Sequence, residues 1–259
     1  MRSGVVSAVV VIVLGAIVAG CVSTVPGSGP MTRSQTASSA NLQLGLAYLQ
    51  QGNLPLAKDK IDRALKQNPG DSNAQAARAM LAERLGDEAG ADRYYRAAAR
   101  IAPSNPEISN NYAVFLCRTG RVDDGVNRFV QAARNPLYGT PEAAFTNAGV
   151  CERGAGRLDA ASEHFARALQ VRPGHVEAAV QLGDLDLSRG KVSEARAFIE
   201  RFVQSFRPTP DLLLLMVRIC RAQGDRVTEE RYARRLRVEF PSSDQARQLS
   251  TLPARRAGS

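Results

Sequence analysis

Between about residue 38 and residue 243 apolar side chains return every third or fourth place, the period of one face of an α-helix. Short polar breaks interrupt this pattern at Gln51-Gly52-Asn53, Leu85-Gly86-Asp87, Thr119-Gly120-Arg121, Ala155-Gly156-Arg157, Arg189-Gly190-Lys191 and Gln223-Gly224-Asp225. The six glycines follow one another at 34, 34, 36, 34 and 34 residues. Glycine enters the left-handed conformation without a Cβ penalty, so each break predicts a tight turn that closes one helix before its partner folds back. The pattern predicts an all-α chain of six helix–turn–helix units, over 38–71, 72–105, 106–139, 142–175, 176–209 and 210–243. One such unit cannot bury its apolar face alone. Neighbours stacked in a row supply a continuous core, which lets a chain without tryptophan be stable.

Other residues keep the same phase. Leu44, Gly45 and Tyr48 precede the first turn as a packing set, and Ala57, Ile61, Ala64 and Pro69 follow it. The second unit offers Ala79, Ala91, Tyr95, Ala98 and Pro103, the fourth Gly149, Ala161, Phe165, Ala168 and Pro173, and the fifth Leu182, Gly183, Ala195 and Ile199. Small residues suit the close crossing of a helix pair, a bulky one fills the space beside it, and proline stops the second helix. Unit three departs, with Gly125 at the alanine position, an early Pro136 and extra residues around Leu137-Tyr138-Gly139-Thr140; unit six carries Glu229 at the small position. Thr140-Pro141 and Thr209-Pro210 read as N-caps followed by a first-turn proline. This 34-residue pattern resembles the tetratricopeptide repeat, whose units stack into a superhelix.

Residues 1–20 differ in kind. Arg2 is followed by the apolar run Val5 to Val18, too short to span a bilayer at about 20 residues but suited to a secretory signal. Val18-Ala19-Gly20-Cys21 resembles a bacterial lipobox, which implies lipidation of Cys21 as the mature N-terminus, and Val22 in place of aspartate implies sorting to the outer membrane. Residues 21–37, rich in Ser, Thr, Gly and Pro, read as a flexible tether reaching roughly 20–25 Å. Residues 244–259 read as a C-terminal tail.

The charge is +9, from 34 Lys and Arg against 25 Asp and Glu, and from Arg201 onward twelve arginines face six acids. The chain has only eight Phe and six Tyr, most at repeat-core positions, so the composition points away from nucleic acid and towards a solvated arginine face. Catalysis has no support: the two histidines, His164 and His175, have no partners at metal-ligand spacing, and no phosphate loop or nucleophile elbow occurs. Neither a metal nor a cofactor is expected. Cys117 and Cys151 fall on the first helices of adjacent units, within reach of one another, and both a disulfide and two buried thiols suit that placement. Cys220 lies two units further on and cannot pair with either.

By the usual geometry of the repeat, Ser39, Leu42, Leu46, Leu49 and Gln50 of the first unit face a binding groove. The spacing of Leu42, Leu46 and Leu49 makes an apolar stripe, continued by Ala76 and Met80 and turning polar at Asn110 and Thr146. Such a stripe is either a partner-binding surface or part of the core.

Leader, tether and six repeats together, with Asn110-Asn111-Tyr112-Ala113-Val114-Phe115-Leu116-Cys117 and Asn147-Ala148-Gly149-Val150-Cys151, resemble the type IV pilus biogenesis lipoproteins of the PilF/PilW pilotin family. The resemblance implies a lipid-anchored protein on the periplasmic face of the outer membrane. It would bind secretin subunits through protein–protein contacts and promote their localisation and multimerisation, without turnover or cofactor. Some members carry a cysteine pair on these two helices, which favours the Cys117–Cys151 bridge. The alternative is a general periplasmic adaptor serving cell-wall or outer-membrane assembly machinery.

Overall fold

The computed structural model describes residues 33–251. The predicted signal segment, Cys21 and most of the predicted tether lie outside the described residues, as do residues 252–259. Thirteen helices and no strand occur among the described residues: α1 (Arg33–Gln50), α2 (Leu54–Gln67), α3 (Ser72–Arg84), α4 (Glu88–Ile101), α5 (Pro106–Arg118), α6 (Val122–Ala133), α7 (Pro141–Gly154), α8 (Leu158–Val171), α9 (Val176–Ser188), α10 (Val192–Ser205), α11 (Pro210–Gln223), α12 (Arg226–Glu239) and α13 (Asp244–Gln248). Odd-numbered helices up to α11 are the first helices of the six repeats, and even-numbered helices the second. All six turn glycines have φ between 74° and 81°, so the left-handed turn that the spacing predicts closes every pair.

The small and bulky residues of the period meet across each pair. A Cβ added to Gly45 would lie 2.6 Å from Ile61, and one added to Gly149 2.5 Å from the Phe165 ring. The glycine on the first helix is therefore the floor on which the bulky residue of the second helix rests. In repeat six Glu229 occupies the small position and is buried; Arg221 of α11 donates to it at 2.9 and 2.7 Å, so an ion pair takes the place of the alanine contact. Asp71, Asn105 and Thr209 cap their helices by accepting backbone N–H bonds, whereas Thr140 starts α7 without a side-chain cap.

Both ends depart from expectation. The predicted tether extends to residue 37, but α1 begins at Arg33, because Ser34 and Ser38 donate to the carbonyls of Gln67 and Ala64 at the end of α2. These serines find partners along a neighbouring helix, where composition alone reads them as solvated linker. At the other end the predicted tail opens with α13, held by Gln245 donating to Asp211 at 2.7 Å. Leu44, assigned to the packing set, is 48% exposed. Its counterparts Tyr112 and Met216 are buried because a preceding repeat covers them, and repeat one has none.

Candidate partner-binding groove

Residues one repeat apart on successive first helices form a row: Leu46, Met80, Val114 and Val150. Leu46, Leu49, Met80 and Val114 line a groove of about 300 Å³ across α1, α3 and α5. A second hollow of about 510 Å³ shares Val114 and continues past Phe129 to Val150 and the Cys117–Cys151 pair. Val114 and Val150 are 45% and 43% exposed, which is high for valines standing side by side over a packed core. The polar edge is held in place. Glu83 accepts from the Tyr95 hydroxyl at 2.6 Å and from Arg118 at 2.7 Å. Burial pushes the Tyr95 phenol far up, with the Glu83 hydrogen bond adding to it, so Tyr95 stays a donor.

The structure separates the predicted stripe. Leu46, Leu49 and Met80 reach the groove, while Leu42 packs with Ala57, Ile61 and Ala77 in the core of repeats one and two. Leu49 does both, since its side chain is buried and forms the groove floor. The expected turn to polarity beyond Met80 does not occur, because Val114 and Val150, and not Asn110 and Thr146, carry the row onward; Thr146 is buried and donates to the Glu142 carbonyl. A register signal was available: each of these valines lies one repeat length from its neighbour in the row.

Past Val150 the same row becomes charged, with Asp184 on α9 and Arg218 on α11. Asp184 lies between Arg153 at 2.6 Å and Arg218 at 2.5 Å. Burial raises the Asp184 carboxyl, but hydrogen bonding from Arg153 and the charge of Arg218 outweigh it and hold the group below the usual carboxylate range. The groove is thus apolar over four repeats and ends against a three-membered ion pair.

Cys117 and Cys151 are bonded, with their Cα atoms 5.7 Å apart, inside the range a disulfide requires. The bridge also accounts for Gly125. A Cβ there would lie 2.5 Å from the Cys117 sulfur and 3.0 Å from the Ala113 carbonyl, so alanine, the usual residue, has no room. Cys220 is a buried free thiol that burial pushes up to about 11. Among the described residues no group of three or more His, Cys, Asp or Glu side chains could hold a metal. His164 is buried against the Phe145 ring. None of the described helices is long and apolar enough to cross a membrane.

Comparison with known proteins is consistent with this architecture. Tetratricopeptide-repeat family profiles match residues 42–106 and 116–176, and residues 152–219. The type IV pilus assembly protein PilF of Pseudomonas aeruginosa is 30% identical over 207 residues, covering 80% of this chain and 82% of that protein. The chain belongs to the tetratricopeptide-repeat proteins homologous to PilF and PilW. The solved structure of Pseudomonas aeruginosa PilF superposes with a TM-score of 0.65 at 28% identity, over 84% of this chain and 98% of that one. That of PilW, described as a widely conserved type IV pilus biogenesis factor, gives 0.65 at 28% identity over 82% and 98%. The chain is a tetratricopeptide-repeat scaffold related to PilF and PilW.

Proposed function

We propose that this PilF/PilW homologue is an assembly factor of the type IV pilus. In this reading it is an outer-membrane lipoprotein, anchored through Cys21 on the periplasmic face, that binds secretin subunits and promotes their localisation and multimerisation. The observation that carries the reading is the uncovered apolar row Leu46, Met80, Val114 and Val150 on a scaffold whose PilF and PilW relatives are named for pilus assembly. Such a groove suits an apolar helix or extended segment of an unassembled subunit, shielding it until neighbouring subunits take its place.

The test is the state of the secretin in fractionated membranes from cells with and without the gene, run on unboiled gels. Loss of the heat-sensitive multimer, restored by the wild-type gene and not by a Val114→Glu, Val150→Glu variant, is the expected result. Unchanged multimer in the outer membrane would remove the proposal and leave a general periplasmic adaptor.

A further inference from the structure

The outer face of α12 does not belong to the groove. Three residues face solvent from its core-opposed side at one-helical-face spacing, Val227, Arg231 and Arg234, and Val238 completes the line. Val227 is 84% exposed and Val238 73%, well above the exposed valines of the groove. Two exposed arginines lie between them. Arg218, Arg221, Arg235 and Arg237 of the same repeat each hold a carboxylate, yet Arg231 and Arg234 form no salt bridge among the described residues. Arg231 is exposed, with its guanidinium over the Tyr232 ring at 5.3 Å. The residues outside the described range contain no Asp or Glu side chain to neutralise them.

We infer that this face of α12 docks on an anionic phospholipid surface, with the arginines on lipid phosphates and the two valines entering the headgroup layer. The inference does not depend on the pilus reading. Apolar side chains flanking a pair of arginines on one helix face match a bilayer, which offers negative charge above hydrocarbon. A soluble polyanion or an acidic protein surface offers the charge without the apolar layer, and would leave Val227 and Val238 with nothing to bury against. With the N-terminus anchored as proposed above, contact through the last repeat would hold both ends of the superhelix at the membrane.

The chain contains no tryptophan, so V227W is a single-site reporter in the full chain. Its emission is read with vesicles of phosphatidylglycerol and phosphatidylcholine, with vesicles of phosphatidylcholine alone, and with heparin. A blue shift with the phosphatidylglycerol vesicles only, absent from an L137W reporter on the distant exposed loop, is expected. Adding R231E and R234E should weaken the lipid-dependent shift by about tenfold or more in lipid concentration, with the helical circular dichroism unchanged. If the charge reversals disturb folding, R231Q and R234Q with a salt titration give the same reading. No shift with anionic vesicles, an equal shift with neutral vesicles, an equal shift with heparin, or insensitivity to the arginine variants would each overturn the assignment.

Discussion

The first-helix row carries methyl groups in repeats one to four and charges in repeats five and six, at the same place in the same fold. Leu46, Met80, Val114 and Val150 present apolar surface to the groove, whereas Asp184 is ion-paired on both sides, with Arg153 and Arg218. Uncovered apolar area gains about 25 cal/mol per Å² when a partner covers it. A satisfied ion pair has hydration and geometry to lose under the same partner. One side chain per repeat thus decides where a continuous solenoid face invites contact and where it refuses it, with no change of backbone.

The contrast can be broken in several ways, beginning beneath the apolar half. Leu42→Ala empties a core position under the groove and should cost about 2–5 kcal/mol in chemical denaturation. A loss below 1 kcal/mol would show that Leu42 belongs to the surface after all. Within the apolar half, the Cys117–Cys151 bridge joins repeats three and four; its removal in a Cys117→Ala, Cys151→Ala chain should cost about 2–4 kcal/mol. Gly125→Ala should cost about 1–3 kcal/mol by overpacking in the oxidised protein, and less in that cysteine-free background, where the 2.5 Å sulfur contact is gone. An equal cost in both would assign the strain to the Ala113 carbonyl alone.

On the charged side, Asp184→Asn should lower stability by about 1–2 kcal/mol at pH 7. The folded-state carboxyl titrates below its ordinary value, so this contribution is present above the unfolded value of about 3.9 and is lost as pH falls through the lower folded value. The wild-type and variant curves should therefore converge below about pH 4; a constant gap would point to packing. The smallest effect on stability is expected at the top of the apolar row. Val114→Ser and Val150→Ser should stay within about 0.5 kcal/mol of wild type while weakening partner capture in pull-downs with a purified secretin fragment. Unchanged capture would move the binding surface elsewhere.

The repeat architecture was legible because glycine turns and small-on-bulky contacts are local chemistry on a fixed period. Gly45 and Ile61, or Gly149 and Phe165, announce themselves by spacing and then meet as expected. Parts of the site were less legible. Leu42 and Leu46 are both apolar residues of α1 that pack on the core made with α2 and α3, and only Leu42 is buried by it. Leu44 matches the packing pattern but lacks the preceding repeat that would cover it. Gly125 looked like a lapse from consensus and is the clearance for the Cys117 sulfur, eight residues back on the facing helix of the pair. Ser34 and Ser38 have linker composition, and their helical role depends on carbonyls at the end of another helix.

The disulfide has a mechanical consequence as well. A solenoid pulled by its two ends can shed repeats one at a time, since each is held mainly by its neighbours. Between Cys117 and Cys151 the load would pass through the sulfur–sulfur bond, and the intervening loop, spanning a sequence separation of 34 residues, could not be drawn out. In an extension record of the oxidised protein that length would be missing, and it would reappear on reduction. Traction on the two ends would then peel the outer repeats and spare α6, the turns on either side of it and most of α7.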